Sequence, residues 1–216
     1  MYNEGKTGAF MAKISMDLIK QLRNITGLGM MDCKKALVET DGDIERAVTL
    51  LRKKGLAVAK KRADRATGAG LIETYIHPGA TLGVLIEIDC ETDFVASTDS
   101  IKTFAQQLCL QIAAMKPMAI APENLDHKYL EKEKDIIREQ LKASGKPEAM
   151  IDKILEGKID KVYSEVCLLK QPFIKDDKHT VEEMLNEIIA QVGEKIVIKR
   201  FARFQVGVQG EDFFTI

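Results

Sequence analysis

Tryptophan is absent, and the three histidines and four cysteines, Cys33, Cys90, Cys109 and Cys167, include no C-x-x-C pair. That scarcity excludes a zinc ribbon and a disulfide scaffold. Cysteines so scattered read as buried small hydrophobes of a reducing compartment, and the cytoplasm is the expected address. No apolar run approaches the ~20 residues of a membrane helix, and the N-terminus lacks the charged-then-apolar order of a signal peptide. No sign of charge dominates either: 32 basic against 33 acidic residues leave a net −1, too little for a whole-chain field that would hold nucleic acid or a membrane. Enzyme signatures are missing as well. There is no G-x-x-x-x-G-K-[ST] phosphate loop, G-x-S-x-G elbow or H-E-x-x-H zinc helix, and the G-x-G fragments at Gly27 and Gly68 lack the third glycine and preceding strand of a dinucleotide site. No catalytic residue, metal ligand or cofactor site is therefore expected.

What is present divides into two parts. Through Gly70 there are 14 basic and 8 acidic residues, leaving 18 against 25 beyond, so the neutral total conceals a basic and an acidic part. Residues 1–10 read as an unstructured extension. Over 11–55, three short helical bursts predict a mini-bundle. Ile14, Leu18, Leu22 and Ile25 follow Ser15 as a cap, Thr26-Gly27-Leu28-Gly29 breaks the pattern, and a second helix carries Met31, Ala36 and Leu37. Asp41-Gly42-Asp43 then precedes Ile44, Ala47, Val48 and Leu51, with an end at Gly55. Residues 56–69 read as a basic linker or helix, its cations from Arg52 to Arg65 nearly unopposed.

From 70 to 216 the pattern predicts an α+β domain with a small sheet. Leu71 to His77 and Leu82 to Glu91 alternate as strands joined by a loop of hairpin length. Leu82, Val84, Ile86, Ile88 and Cys90 form a core face, with Glu87, Asp89 and Glu91 on a solvated one. Ile101, Phe104, Ala105, Leu108, Ile112 and Met115 mark a long helix stopping at Lys116-Pro117. A charged helix over 126–144 has Leu130, Ile137 and Leu141 as anchors, and further helix runs to Leu169. Gln171-Pro172-Phe173 breaks the chain, before a last helix over Val181 to Val192 and a last strand from Ile196 to Val206. Two turns hold chemistry of interest. Thr92 or Asp93 caps a helix whose first turn carries Phe94, either as core or as an apolar tip, and Met30-Met31 is either core filler or a soft contact patch.

The run Leu22 to Leu37, with Thr26-Gly27-Leu28-Gly29-Met30-Met31-Asp32-Cys33-Lys34-Lys35, followed by Gly42-Asp43-Ile44-Glu45 and Leu51-Arg52-Lys53-Lys54-Gly55, closely resembles the N-terminal signature of the elongation factor Ts family. Glu91-Thr92-Asp93-Phe94-Val95 resembles its second signature. The likeness continues through Ser144-Gly145-Lys146-Pro147, Glu156-Gly157-Lys158 and Gln171-Pro172-Phe173-Ile174, spanning Met11 to about Val206.

The resemblance implies a ubiquitin-associated-like three-helix domain followed by a dimerisation, or core, domain. The compact length looks like the short form, without the duplicated core half and inserted coiled coil, and homodimeric. It implies a translation factor that exchanges guanine nucleotide on elongation factor Tu, with no bond made or broken by this chain. Thr92, Asp93, Phe94 and Val95 would reach the GTPase near its Mg²⁺, with Phe94 as wedge and Asp93 as polar companion. Met30, Met31 and Lys34 would dock the N-terminal domain, with Arg23 and Cys33 internal. Gln111 stands where many members have histidine and is carried as a candidate contact. The runner-up is a nucleic-acid-binding module built on the basic cluster 52–65, which lacks interleaved aromatics for stacking. An enzyme built on Asp89, Glu91 and His77 comes third.

Overall fold

A computed structural model describes residues 14–208; the extension expected over 1–10 lies outside them. Helices α1 (Met16–Thr26), α2 (Met30–Glu39) and α3 (Ile44–Arg62) are followed by strands β1 (Ala69–Ile76) and β2 (Leu82–Cys90), a one-turn helix α4 (Asp93–Ala96) and the long α5 (Asp99–Met115). Then come α6 (His127–Ala143), α7 (Glu148–Val166), short strands β3 (Pro172–Phe173) and β4 (Asp176–Thr180), helix α8 (Val181–Val192) and strand β5 (Ile196–Gln205). The chain divides into two compact units, one of residues up to Thr67 with Leu185–Ile196, the other of Gly68–Met184 with the chain from Val197.

In the first unit each helix begins on a side-chain cap or a turn that its sequence specifies. Ser15 Oγ accepts from the Leu18 amide at 3.2 Å, and Asp43 Oδ1 from the Arg46 amide at 3.0 Å. The bundle core is Ile19, Leu22, Cys33, Ala36, Leu37, Ala47 and Leu51. Its stripe on α1 is centred between Ile19 and Leu22, which puts Ile25 at the stripe's edge and leaves it exposed, against expectation. Arg23, expected inside, is also exposed; it lies in the last turn of α1, where a cation suits the helix dipole.

Helix α3 does not stop at Gly55 but runs on to Arg62. Gly55 is there for close packing: a Cβ would stand 3.0 Å from the Ala190 Cβ. Two of the cations read as nearly unopposed have carboxylate partners. Arg52 pairs with Glu187 at 2.6 Å and Lys54 with Glu39 at 2.7 Å.

The second unit is built on a three-stranded sheet in the order β1-β2-β5. β1 and β2 pair antiparallel with Leu71 opposite Ile88 and Tyr75 opposite Val84. The Val206 amide donates to the Thr81 carbonyl at 2.8 Å, so β5 ends where β2 begins and is antiparallel to it. α5 lies across β1 and β2, burying Ile101, Phe104, Ala105, Leu108 and Ile112 against Val84, Ile86, Ile88 and Cys90. Met115, expected on that face, is exposed, because the helix ends at Lys116 in the left-handed region (φ 49°). The outer face stays apolar at Ile72, Ile76, Leu85 and Phe204, all exposed.

The charged helix has a partner that its own sequence does not announce. α6 and α7 pack together around their own core of Ile137, Leu141, Ile151, Leu155 and Ile159, turning at Gly145 (φ 71°). The sparse anchors of the charged helix were one half of a seam whose other half is α7. At Gln171-Pro172-Phe173, where only a break was expected, β3 pairs with β4 and Phe173 is buried.

Candidate functional site

Two turns, one in each unit, carry the residues singled out from sequence. In the second unit β2 ends on Cys90, and Thr92, in extended conformation, is the N-cap of α4, its Oγ1 accepting from the Val95 amide at 3.3 Å. The turn closes by further bonds within a few residues. The Ser97 amide donates to the Asp93 carbonyl at 3.0 Å, Ser97 Oγ to the Phe94 carbonyl at 2.8 Å and Thr98 Oγ1 to the Val95 carbonyl at 2.8 Å. Val95 is buried, while Thr92, Asp93 and Phe94 are exposed. Composition favours Phe94 as core, yet it is 76% exposed, the highest value among the exposed large hydrophobic residues. A rigid ring is thus held in solvent by a turn whose backbone groups are bonded on both sides of it. That arrangement suits insertion into another surface, since little ordering remains to be done on contact.

Along the neighbouring strand, Glu87 accepts from the Arg200 guanidinium. Asp89 has its carboxyl raised above the usual range, first by partial burial and then by the adjacent Glu87 charge. Among the described residues no group of three or more His, Cys, Asp or Glu is arranged to hold a metal.

In the first unit, α1 ends at Gly27 in the left-handed region (φ 66°) and α2 begins after Gly29. Thr26 Oγ1 donates to the Leu22 carbonyl at 2.8 Å and lies 3.7 Å from the Cys33 sulfur, so the turn is fastened from both helices. Cys33 is fully buried. Met30 packs on the bundle core, whereas Met31 is 62% exposed and Lys34, three residues on, is exposed beside it. A polarizable apolar side chain next to a cation makes an adaptable contact patch.

Gln111 is not on any surface. Its side chain is completely buried; Nε2 donates to Gln171 Oε1 and to the Pro172 carbonyl, each at 3.1 Å, and Oε1 accepts from the Ile174 amide at 2.7 Å. Gln171, also buried, donates to the Met115 and Glu165 carbonyls at 3.3 and 2.8 Å. The expectation that Gln111 touches a partner is therefore replaced: every polar atom of the amide is committed inside, tying α5 to the β3–β4 turn. Nothing in the local sequence announced this pairing, because Gln111 and Gln171 lie 60 residues apart.

The family model described as "Elongation factor TS" matches residues 18–208. The chain belongs to the elongation factor Ts family. It is 53% identical over 194 residues to "Elongation factor Ts" of Caldanaerobacter subterraneus subsp. tengcongensis, covering 90% of this chain and 97% of that protein. It is 51% identical over 197 residues to that of Desulforamulus reducens, 91% of each chain. Against that of Desulfosudis oleivorans it is 52% identical over 197 residues, 91% of this chain and all of the other. Membership supports a role in translation elongation, and both turns fall inside the matched span. No described helix is long and apolar enough to cross a membrane.

Proposed function

We propose that this chain is a guanine nucleotide exchange factor acting on elongation factor Tu. An exchange factor binds the nucleotide-free GTPase more tightly than the loaded form, and by reciprocity nucleotide and factor weaken each other's binding. This requires no bond chemistry, so the chain is an exchange factor and not an enzyme in its own right, and it needs no cofactor. The observation that carries the reading is Phe94, exposed on a turn that its own hydrogen bonds hold in place. Phe94 is the wedge entering the GTPase beside its Mg²⁺ and phosphate site, with Asp93 as polar companion and Thr92 and Val95 setting the turn. Displacing groups that hold Mg²⁺ uncovers phosphate charge and speeds release of GDP.

Met30, Met31 and Lys34 of the three-helix, ubiquitin-associated-like unit are the second contact. The active form is a cytoplasmic homodimer, supported by the exposed Ile72, Ile76, Leu85 and Phe204 on one face of the sheet, which a second copy covers. Direct nucleic-acid binding is not part of this function; among the basic cluster, Arg52 is engaged by Glu187 and Lys54 by Glu39.

The test is release of fluorescently labelled GDP from elongation factor Tu with and without this chain. Acceleration at sub-stoichiometric amounts is expected. No acceleration, together with tight, salt-sensitive RNA retention on filters, would refute the reading in favour of a nucleic-acid module.

A further inference from the structure

The last helix contributes to the first unit in a way that its position in the sequence conceals. Glu187, Ala190 and Gln191 are spaced i, i+3 and i+4 on α8 and each meets the three-helix bundle; Lys195, beyond the end of the helix, adds a further tie. Glu187 pairs with Arg52 at 2.6 Å. Ala190 meets Gly55, where a Cβ would come within 3.0 Å. Lys195 Nζ donates to the Ala63 and Arg65 carbonyls at 2.6 and 2.9 Å, just past the end of α3, where a cation is favoured by the helix dipole. The fourth contact falls on the turn itself: Gln191 Nε2 donates to the Gly27 carbonyl at 3.4 Å, and a Cβ at Gly27 would lie 2.5 Å from that nitrogen.

Gly27 is the αL cap that ends α1, three residues ahead of Met30. The contacts at Arg52, Gly55 and Ala63 hold Leu185–Ile196 on α3, and that packing brings Gln191 over the backbone of the turn.

We infer that the part of α8 from Leu185 to Val192 is the fourth helix of the N-terminal docking unit, and that Gly55 and Gln191 are positioning residues that hold the Met30–Met31 turn ready for the partner. This rests on the reading of Met30, Met31 and Lys34 as contacts with elongation factor Tu. A turn already ordered loses less freedom on docking, so the buttress acts on binding of the partner and leaves the step at Phe94 alone.

Gly55→Leu tests it. Leucine improves the helix propensity of α3, so that helix is not weakened, while its side chain drives Ala190, and α8 with it, away from α3. Gln191→Ala, a surface change that leaves the bundle core intact, is the milder companion. Exchange is measured at fixed chain and increasing elongation factor Tu–GDP. The expected result is a KM raised about fivefold or more for Gly55→Leu with kcat unchanged, and a smaller rise in the same direction for Gln191→Ala. A loss of folded protein would lower kcat at constant KM, and that result overturns the inference, as does an unchanged KM in both variants. If the unsubstituted chain fails to accelerate release, the proposed function falls and this inference falls with it.

Discussion

Replacing Gln111 by leucine keeps the side chain's approximate volume and removes its hydrogen bonding. In the native fold that amide satisfies the Ile174 N–H at 2.7 Å and the Pro172 carbonyl and Gln171 Oε1 at 3.1 Å. All three partners lose a bond inside a site with no exposed surface on Gln111 or Gln171. A buried polar group left without a partner costs ~1–3 kcal/mol. Gln171 retains its two donated bonds, and the Pro172 carbonyl recovers part of its loss by small shifts, which brings the expected total to roughly 3 kcal/mol.

At about 2–4 °C per kcal/mol for a chain of this size, the melting temperature falls by roughly 6–12 °C. Differential scanning calorimetry measures the fall, and amide hydrogen exchange at Ile174 reports whether its N–H is the group released. A shift under about 2 °C with Ile174 still protected would refute the claim that this network fastens the β3–β4 turn.

Thr92→Ala removes the cap of α4 and costs about 1 kcal/mol; exchange should slow as well, read in the GDP-release assay, because the turn beneath Phe94 loosens. The thiols give a pH test. Burial pushes Cys109 up to about 12 and Cys167 up to about 11, with Glu73 and Glu123 adding to the respective shifts. The folded state therefore holds these protons more tightly than the unfolded state, so their contribution is complete below pH ~9 and is lost as pH rises toward the folded values, at up to about 1.4 kcal/mol per pH unit per thiol. Urea titrations at pH 8 and 10 check it, and a thiol reagent at pH 8 should count no fast-reacting cysteine among the four until the chain unfolds. Leu85→Lys, on the sheet face proposed to pair two copies, should give a monomer in sedimentation equilibrium, with a melting temperature that no longer depends on chain concentration.

Periodicity located the helices and strands that build both units, because each buries one face and its sequence alternates accordingly. It failed where the partner of a residue lies far along the chain. Gly55 reads as a helix stop and is a packing notch for Ala190; Gln111, a candidate contact by the resemblance alone, is sealed by Gln171; the sparse apolar anchors of α6 are half of a seam with α7. Composition places Phe94 inside, since aromatic residues are usually buried. Only the family motif argued for its exposure, and the capped turn supplies the physical means by which a phenylalanine is held in solvent.

The most direct test of the central claim compares the unsubstituted chain with Phe94→Ala in release of labelled GDP from elongation factor Tu, at limiting concentrations. With 76% of its surface exposed, Phe94 contributes little to folding, so the variant should keep its melting temperature. Truncating an aromatic anchor at the centre of an interface costs about 2–4 kcal/mol, which corresponds to a loss of roughly 30- to 1000-fold in kcat/KM. Release by Phe94→Ala as fast as by the unsubstituted chain would contradict the wedge.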